Sequence, residues 1–334
     1  MIVRFGFVAM STQLENASPS RTMTMASFAK LDDREAGLRR LERISEENLR
    51  NTLRLLKHCK YMGVKVYRLT SKLIPLATHE ALADWSPYET LAPAFAEVGE
   101  FAKENGMRLS FHPDHFTVLS TPREEVLVKS VIDLEHHVRM LELMGLDERA
   151  LCNIHVGGSY GDKDSAGKRF LANFASMPER IRRRITLEND DKTFNAAETL
   201  AISEEAGAPM VLDIHHHQVN NAGESPESLW PRIVRTWSRF SPEQAGEKSL
   251  PPKIHVSSPK SASDPRGHAD YVELEPLLRF LLAVSDETPA LDVMIEAKKK
   301  DDALLKLMED LRETERKGGP VRVLDGASIE IAGG

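Results

Sequence analysis

The sequence predicts one (β/α)8 barrel of the TIM type, a single α/β domain over residues 1–317 with a metal site at the C-terminal mouth of its strands. Three observations lead there. Short apolar, β-branched runs alternate eight times with amphipathic stretches of helical spacing. No long Gly/Ser- or Pro-rich linker divides the chain. No G-x-G-x-x-G follows the first run, which weakens the competing open, doubly wound sheet.

The strands are expected at "IVRFGFVA" (2–9), "VKVYRL" (64–69), "MRLSFH" (107–112), "LCNIHV" (151–156), "ITLEN" (185–189), "MVLDIH" (210–215), "KIHVS" (253–257) and "LDVMIEA" (291–297). The clearest helix is 34–62, where Leu38, Leu41, Leu49, Leu53 and Leu56 recur on one face and Gly63 ends the run. Others are expected at about 90–105, 123–144, 167–182, 195–206, 226–240, 273–284 and 301–316, with Gly106, Gly145 and Gly207 as stops. The connection 10–33 is long for a βα loop, and in a barrel it lies on the functional face. The tail 318–334 suggests no element or role.

Composition narrows the function classes. The 334 residues are 41% hydrophobic and 28% charged, with 44 basic against 51 acidic side chains and a net charge of −7. Bulk charge therefore does not announce a nucleic-acid binder. The segments "RIRRR" (180–184) and "AKKKDD" (297–302) read as solvated helix ends. No apolar stretch approaches the roughly 20 residues of a spanning helix, and "MIVRFGFVAM" lacks the h-region of a signal peptide. Cys59 and Cys152 sit in apolar patterns and read as core. A cytoplasmic, monomeric enzyme without membrane contact is expected.

The strand ends carry the chemistry. Strand three ends in His112, strand four carries His155, strand five Glu188, strand six Asp213 and His216, strand seven His255 and strand eight Glu296, while His268 follows strand seven. In a barrel these ends meet at one mouth. Imidazole and carboxylate without thiolate suit Mn2+, Zn2+, Fe2+ or Mg2+. Eight ligands suffice for three ions if carboxylates bridge, and paired ions suit phosphoryl displacement. Lys253 lies two before His255, on the same strand face. A desolvated lysine there loses its proton readily and can act as a base or take up CO2 as a carbamate.

In this order the motifs "VRFGFVAM", "LIPLATHE", "SFHPDHF", "NIHVGG", "LENDDK", "DIHHH", "KIHVSSPKS", "HADYV" and "MIEAKKKD" resemble those of the UV damage endonucleases over residues 1–317. That family is a TIM barrel related to the endonuclease IV-type apurinic endonucleases. The resemblance implies cleavage immediately 5′ of cyclobutane pyrimidine dimers and 6-4 photoproducts in double-stranded DNA, with three divalent ions, Mn2+ foremost and Zn2+ or Mg2+ as alternatives. It implies that His112, His155 and Glu188 hold one ion, that Glu188, Asp213, His255 and Glu296 hold a second, and that His216 and His268 hold a third. It matches Lys253 to a carboxylated lysine and His79 to a histidine near the scissile phosphate, so that Lys253, His79 and Glu188 form the catalytic set. Where the family has a Gln–aromatic pair that enters the damaged duplex, this chain has His115–Phe116. His215 and His217 match no ligand. The rival readings are a metal-dependent sugar isomerase on the same barrel, which would leave His216 and His268 idle, and a lesion- or metal-binding protein without turnover.

Overall fold

The computed structural model describes residues 1–331. Eight parallel strands form the barrel: Ile2–Val8, Val66–Arg68, Arg108–Phe111, Leu151–His155, Ile185–Glu188, Met210–Asp213, Lys253–Val256 and Ala290–Ile295. Each pairs with the next, and the eighth pairs with the first (Phe5 opposite Val293), which closes the ring. Their residues are almost all buried, as expected where side chains fill the barrel on one face and helices cover the other. Gly6 is required by this closure. A Cβ there would meet the Val66 carbonyl oxygen at 1.9 Å.

Helices follow the strands as expected. The longest, Arg34–Tyr61, starts on Asp33, whose carboxylate accepts from the Ala36 N–H (3.2 Å), and buries Leu38, Leu41, Leu49, Leu53 and Leu56. Helix Ala196–Ala206 has a capping box of Asn195 and Glu198, and Gly207 ends it with φ 65°. Several boundaries differ from expectation: strand two is only Val66–Arg68, strands three and eight stop at Phe111 and Ile295, one residue before His112 and Glu296, and three other differences have a local cause. Pro178 divides 167–182 into helices Lys163–Ser176 and Glu179–Arg182, because the residue before a proline is driven to extended backbone. The 226–240 stretch ends as a helix at Thr236 and continues as a single turn, Ser238–Phe240. Strand six stops at Asp213 instead of His215. The Asp213 side chain accepts from the His216 N–H (2.7 Å) and caps a short helix, Ile214–Val219.

Other features had no sequence signal. Residues 10–33 contain the turn of helix Met25–Phe28, and Met23 and Phe28 pack with Leu38, Leu41 and Leu82. A two-stranded hairpin, Pro259–Ser261 with Asp264–His268, rises between strand seven and the helix Leu274–Val284. In the tail, Val321–Val323 and Ser328–Ile331 form a second hairpin, and its last strand pairs antiparallel with Ile2–Arg4. It occupies the lower edge of strand one, below the short strand two, and buries Ile329 and Ile331. "RIRRR" is only partly solvated. Arg184 is buried and donates to the carbonyls of Leu146 (2.8 Å), Asp147 and Ala150, joining the turns that enter strands four and five.

At the bottom of the barrel Asp292 accepts from Arg4 (2.7 and 2.8 Å) and from Arg108 (2.7 Å). Burial alone would raise the Asp292 pKa, but the two guanidinium groups outweigh it and hold it below its ordinary 3.8. The sign follows. This group stabilises the fold above pH ~4, and the contribution is lost as pH falls through the lower folded value. Asp292→Asn leaves two guanidinium groups facing an uncharged amide and should cost about 3–5 kcal/mol in urea unfolding at pH 7. The loss should shrink towards acid pH. An unchanged midpoint at pH 7 would exclude Asp292 as the anchor of the lower barrel.

Candidate metal centre

Every strand from the third to the eighth ends at this mouth. His112, His155 and Glu188 each offer a donor atom within 4.8 Å of the others, and so do Glu188, Asp213, His255 and Glu296. Glu188 belongs to both groups. One of its oxygens lies 3.0 Å from His112 Nε2 and accepts from the Asn153 amide; the other lies 3.1 Å from His255 Nδ1. His255 Nδ1 also lies 2.9 Å from Glu296 Oε1, which in turn accepts from Arg68.

The histidines are held as donors. Nδ1 of His112 contacts the Pro113 carbonyl (3.0 Å), that of His155 the Glu188 carbonyl (3.2 Å), that of His216 the Asn189 carbonyl (2.9 Å) and that of His268 the Glu296 carbonyl (2.8 Å). A carbonyl accepts only from N–H, so each Nδ1 carries a proton and Nε2 is the nitrogen left to ligate an ion when it carries none. Backbone partners of this kind orient metal-binding imidazoles. His112 Nε2 lies 3.0 Å from a Glu188 carboxylate oxygen, a gap that a proton or a divalent cation can bridge. Asp213 Oδ2 is buried with no hydrogen-bond partner among the described residues, and burial raises the Asp213 pKa. Burial lowers His216 and His255, but the neighbouring carboxylates, Asp213 for the first and Glu188 for the second, outweigh it and raise both to about 9. The donor set therefore fits divalent cations.

The three histidines of "DIHHH" separate cleanly. His215 uses both nitrogens, towards Ser257 Oγ (2.6 Å) and the Pro265 carbonyl (2.7 Å), and ties the 259–268 hairpin to the mouth. His217 Nε2 donates to the Glu224 carbonyl (3.1 Å). His216 lies beside His155 and His268, with ring centroids 5.7 and 6.3 Å away; the His215 ring is nearer His268, at 5.3 Å, but both its nitrogens are engaged elsewhere.

With this geometry in view, the comparisons decide the family. The model of the family described as UV-endonuclease UvdE matches residues 3–323. The chain belongs to that family. It is 44% identical over 314 residues to the UV DNA damage endonuclease of Halalkalibacterium halodurans, covering 94% of this chain and 95% of that protein. The crystal structure of SacUVDE superposes with a TM-score of 0.80 at 30% identity, covering 94% of this chain and 99% of that one. Endonuclease IV from Thermus thermophilus shares the fold, with a TM-score of 0.52 at 15% identity, over 93% of this chain and 99% of that one. The match gives the sugar isomerase alternative no support.

The remaining UvdE candidates fall around this cluster. Lys253 lies below it, buried, with Nζ 3.1 Å from Ser110 Oγ. Burial, then Arg108, hold its pKa well below the ordinary lysine value, against the pull of Asp292. His79 stands apart from both donor groups, capping the turn Glu80–Leu82 with Nδ1 3.2 Å from the Ala81 N–H. His115 and Phe116 occupy the tip of a turn closed by Thr117 N–H to the Asp114 carbonyl (2.8 Å) and fastened by Thr117 to Asp133 (2.6 Å). Phe116 is 74% exposed, so it is not packed against a neighbouring loop. No helix among the described residues is long and apolar enough to cross a membrane.

Sequence reasoning missed Arg68, Asn153 and Asn189. Asn153 holds Glu188 and accepts from Thr186 (2.8 Å), while Asn189 bonds the Asp213 backbone on both sides (2.9 Å each). A signal existed for Asn153 and Thr186. Each sits two residues before a candidate ligand, on the same strand face, as Lys253 does.

Proposed function

We propose that this chain is a DNA repair endonuclease. It hydrolyses the phosphodiester bond immediately 5′ of cyclobutane pyrimidine dimers and 6-4 photoproducts in UV-damaged double-stranded DNA. The observation that carries the reading is the convergence of imidazole and carboxylate donors from consecutive strands, in a UvdE-family chain. The proposed cofactor is three divalent ions, Mn2+ foremost. His112, His155 and Glu188 hold the first, Glu188, Asp213, His255 and Glu296 the second, and His216 and His268 the third. Ions held there would lower the pKa of the attacking water and neutralise charge on the phosphate.

The protein's own groups have separate tasks. Glu188 would serve the first two ions together, because both donor groups share it. Lys253 is buried and easily deprotonated, the state in which a lysine takes up CO2; as a carbamate it would add an anionic ligand from below. His79 is proposed near the scissile phosphate, from the loop after strand two. His115 and Phe116 enter the duplex. Their rings lie 4.0 Å apart, tilted by 40°, as one exposed amphipathic tip. Unstacking a lesion costs a few kcal/mol, less than at an intact site, and an inserted aromatic ring offsets part of it.

With Mn2+ the protein should nick UV-irradiated plasmid and spare unirradiated plasmid, and a chelator should abolish nicking. Metal analysis should return three ions per chain and two for His216→Ala. Glu188→Gln should lower incision by more than about 100-fold, since even outer partners of a ligand carry 10–100-fold. Near-normal incision by Glu188→Gln would sink the metal assignment.

Lys253 is tested by mass. Native mass spectrometry should show the sequence mass plus one CO2, and Lys253→Ala should lose both the increment and the activity. A fully active wild type at the bare sequence mass would reject the carbamate.

Phe116→Ala should weaken binding to UV-damaged duplex by roughly 5- to 150-fold, from about 1–3 kcal/mol of stacking, with metal content unchanged. Equal affinities of variant and wild type for damaged and intact duplex would make Phe116 a bystander.

A further inference from the structure

The run Lys298–Lys300 follows the Glu296 strand end, and its three lysines are not alike. Lys298 and Lys299 are exposed, whereas Lys300 is drawn half into the mouth. Lys300 has φ 50°, the left-handed region that a side chain with a Cβ rarely adopts. Five non-glycine residues have positive φ among the described residues: Ala9, Asn16, Leu76, Tyr160 and Lys300. Four lie in loops that follow barrel strands and Lys300 opens the helix after strand eight, all on the face of the metal centre. Strain confined to one face marks where the fold is held for function.

The surroundings hold Lys300 in this state. Lys298 N–H donates to the Ala269 carbonyl (3.0 Å), Lys299 N–H to the Asp270 carbonyl (3.1 Å) and Lys300 N–H to the Ala297 carbonyl (3.2 Å). The next residue, Asp301, is fully buried and clamped by Ser11, by Thr12 through N–H and Oγ1 (2.8 Å each), and by His58 Nε2 (3.1 Å). The clamp uses the long loop after strand one, the end of the Arg34–Tyr61 helix and the start of the Lys300–Arg316 helix.

So restrained, the Lys300 ammonium has no hydrogen bond or ion pair among the described residues. The nearby carboxylate, Glu296, is already engaged by Arg68 and His255. Burial, then Arg68, disfavour the Lys300 charge, and Glu296 only partly offsets them. A half-desolvated cation, fixed by strained backbone beside the metal ligands and lacking an anion, is arranged for one that arrives. We infer that Lys300 binds a DNA phosphate at the metal centre, as a phosphate-positioning residue of the active site. The inference rests on the endonuclease reading above.

The test is the salt dependence of binding to a UV-damaged duplex carrying a non-cleavable bridging-methylene phosphonate at the incision position. Each phosphate contact contributes about 0.9 to the slope of log K against log[salt]. Lys300→Met should reduce the slope by about 0.9 and weaken binding roughly tenfold at 0.1 M salt, with metal content unchanged. Lys300→Arg should restore both. Lys300→Gly should lose the same slope yet melt at a higher temperature than Lys300→Met, because glycine tolerates the left-handed backbone. If wild type binds DNA and Lys300→Met keeps its slope, Lys300 makes no phosphate contact and this inference alone falls. Wild type that does not bind the damaged duplex would overturn the endonuclease reading and the inference with it.

Discussion

Glu188, Asp213 and Glu296 crowd three carboxylates around one imidazole, His255, in the buried mouth of the barrel. Like charges this close oppose one another, and burial opposes each of them separately. Most of the architecture at this end counters that repulsion. Arg68 supports Glu296, Asn153 supports Glu188, and the His216 N–H supports Asp213. What remains uncompensated, including the lone oxygen of Asp213, is directed at the same space. The barrel suits this purpose because strands from different parts of the chain end at one place, each with its own hydrogen-bonded backbone.

Rigidity in the donors comes from main chain more than from side chains. Four of the five candidate imidazole ligands are fixed by carbonyl oxygens at strand ends or just beyond them. Two of those carbonyls belong to Glu188 and Glu296, which are candidate ligands themselves. A shift of either strand would therefore disturb a carboxylate and a histidine together. Asn189 extends the coupling by holding the backbone of Asp213 while its own carbonyl fixes His216. The donor set behaves as one unit, with the Arg4–Asp292–Arg108 cluster anchoring the same barrel from below.

Much of this was legible in the sequence. All eight strands, seven ligand candidates at six strand ends and the oddity of Lys253 follow from periodicity and from the residue types at apolar run ends. Other features were not legible because they depend on contacts distant in sequence. His215 and His217 differ from His216 only through Ser257, Pro265 and Glu224, which the fold brings to them. Strand six ended early because an aspartate that suits a metal also suits a helix cap, and a local pattern cannot show that it does both. The tail looked featureless because its hairpin is defined by the edge of strand one, more than 300 residues away. Met1 and Ile331 bond reciprocally there, at 2.9 and 2.8 Å.

Bulk charge was the least informative property, and the site explains why. A net −7 chain is poorly suited to approach a polyanion. Three divalent ions would bring it close to neutral, and their six positive charges would all fall at the mouth. The field that steers DNA would then belong to the loaded centre and not to the apo chain. Arg184 of "RIRRR" is consumed in holding turns at the opposite end, so a count of basic residues credits DNA binding with a charge that serves the fold. At the mouth few cations are needed, and their placement matters more than their number. A lysine held in strained backbone beside Glu296 carries more of that placement than the two solvated lysines before it.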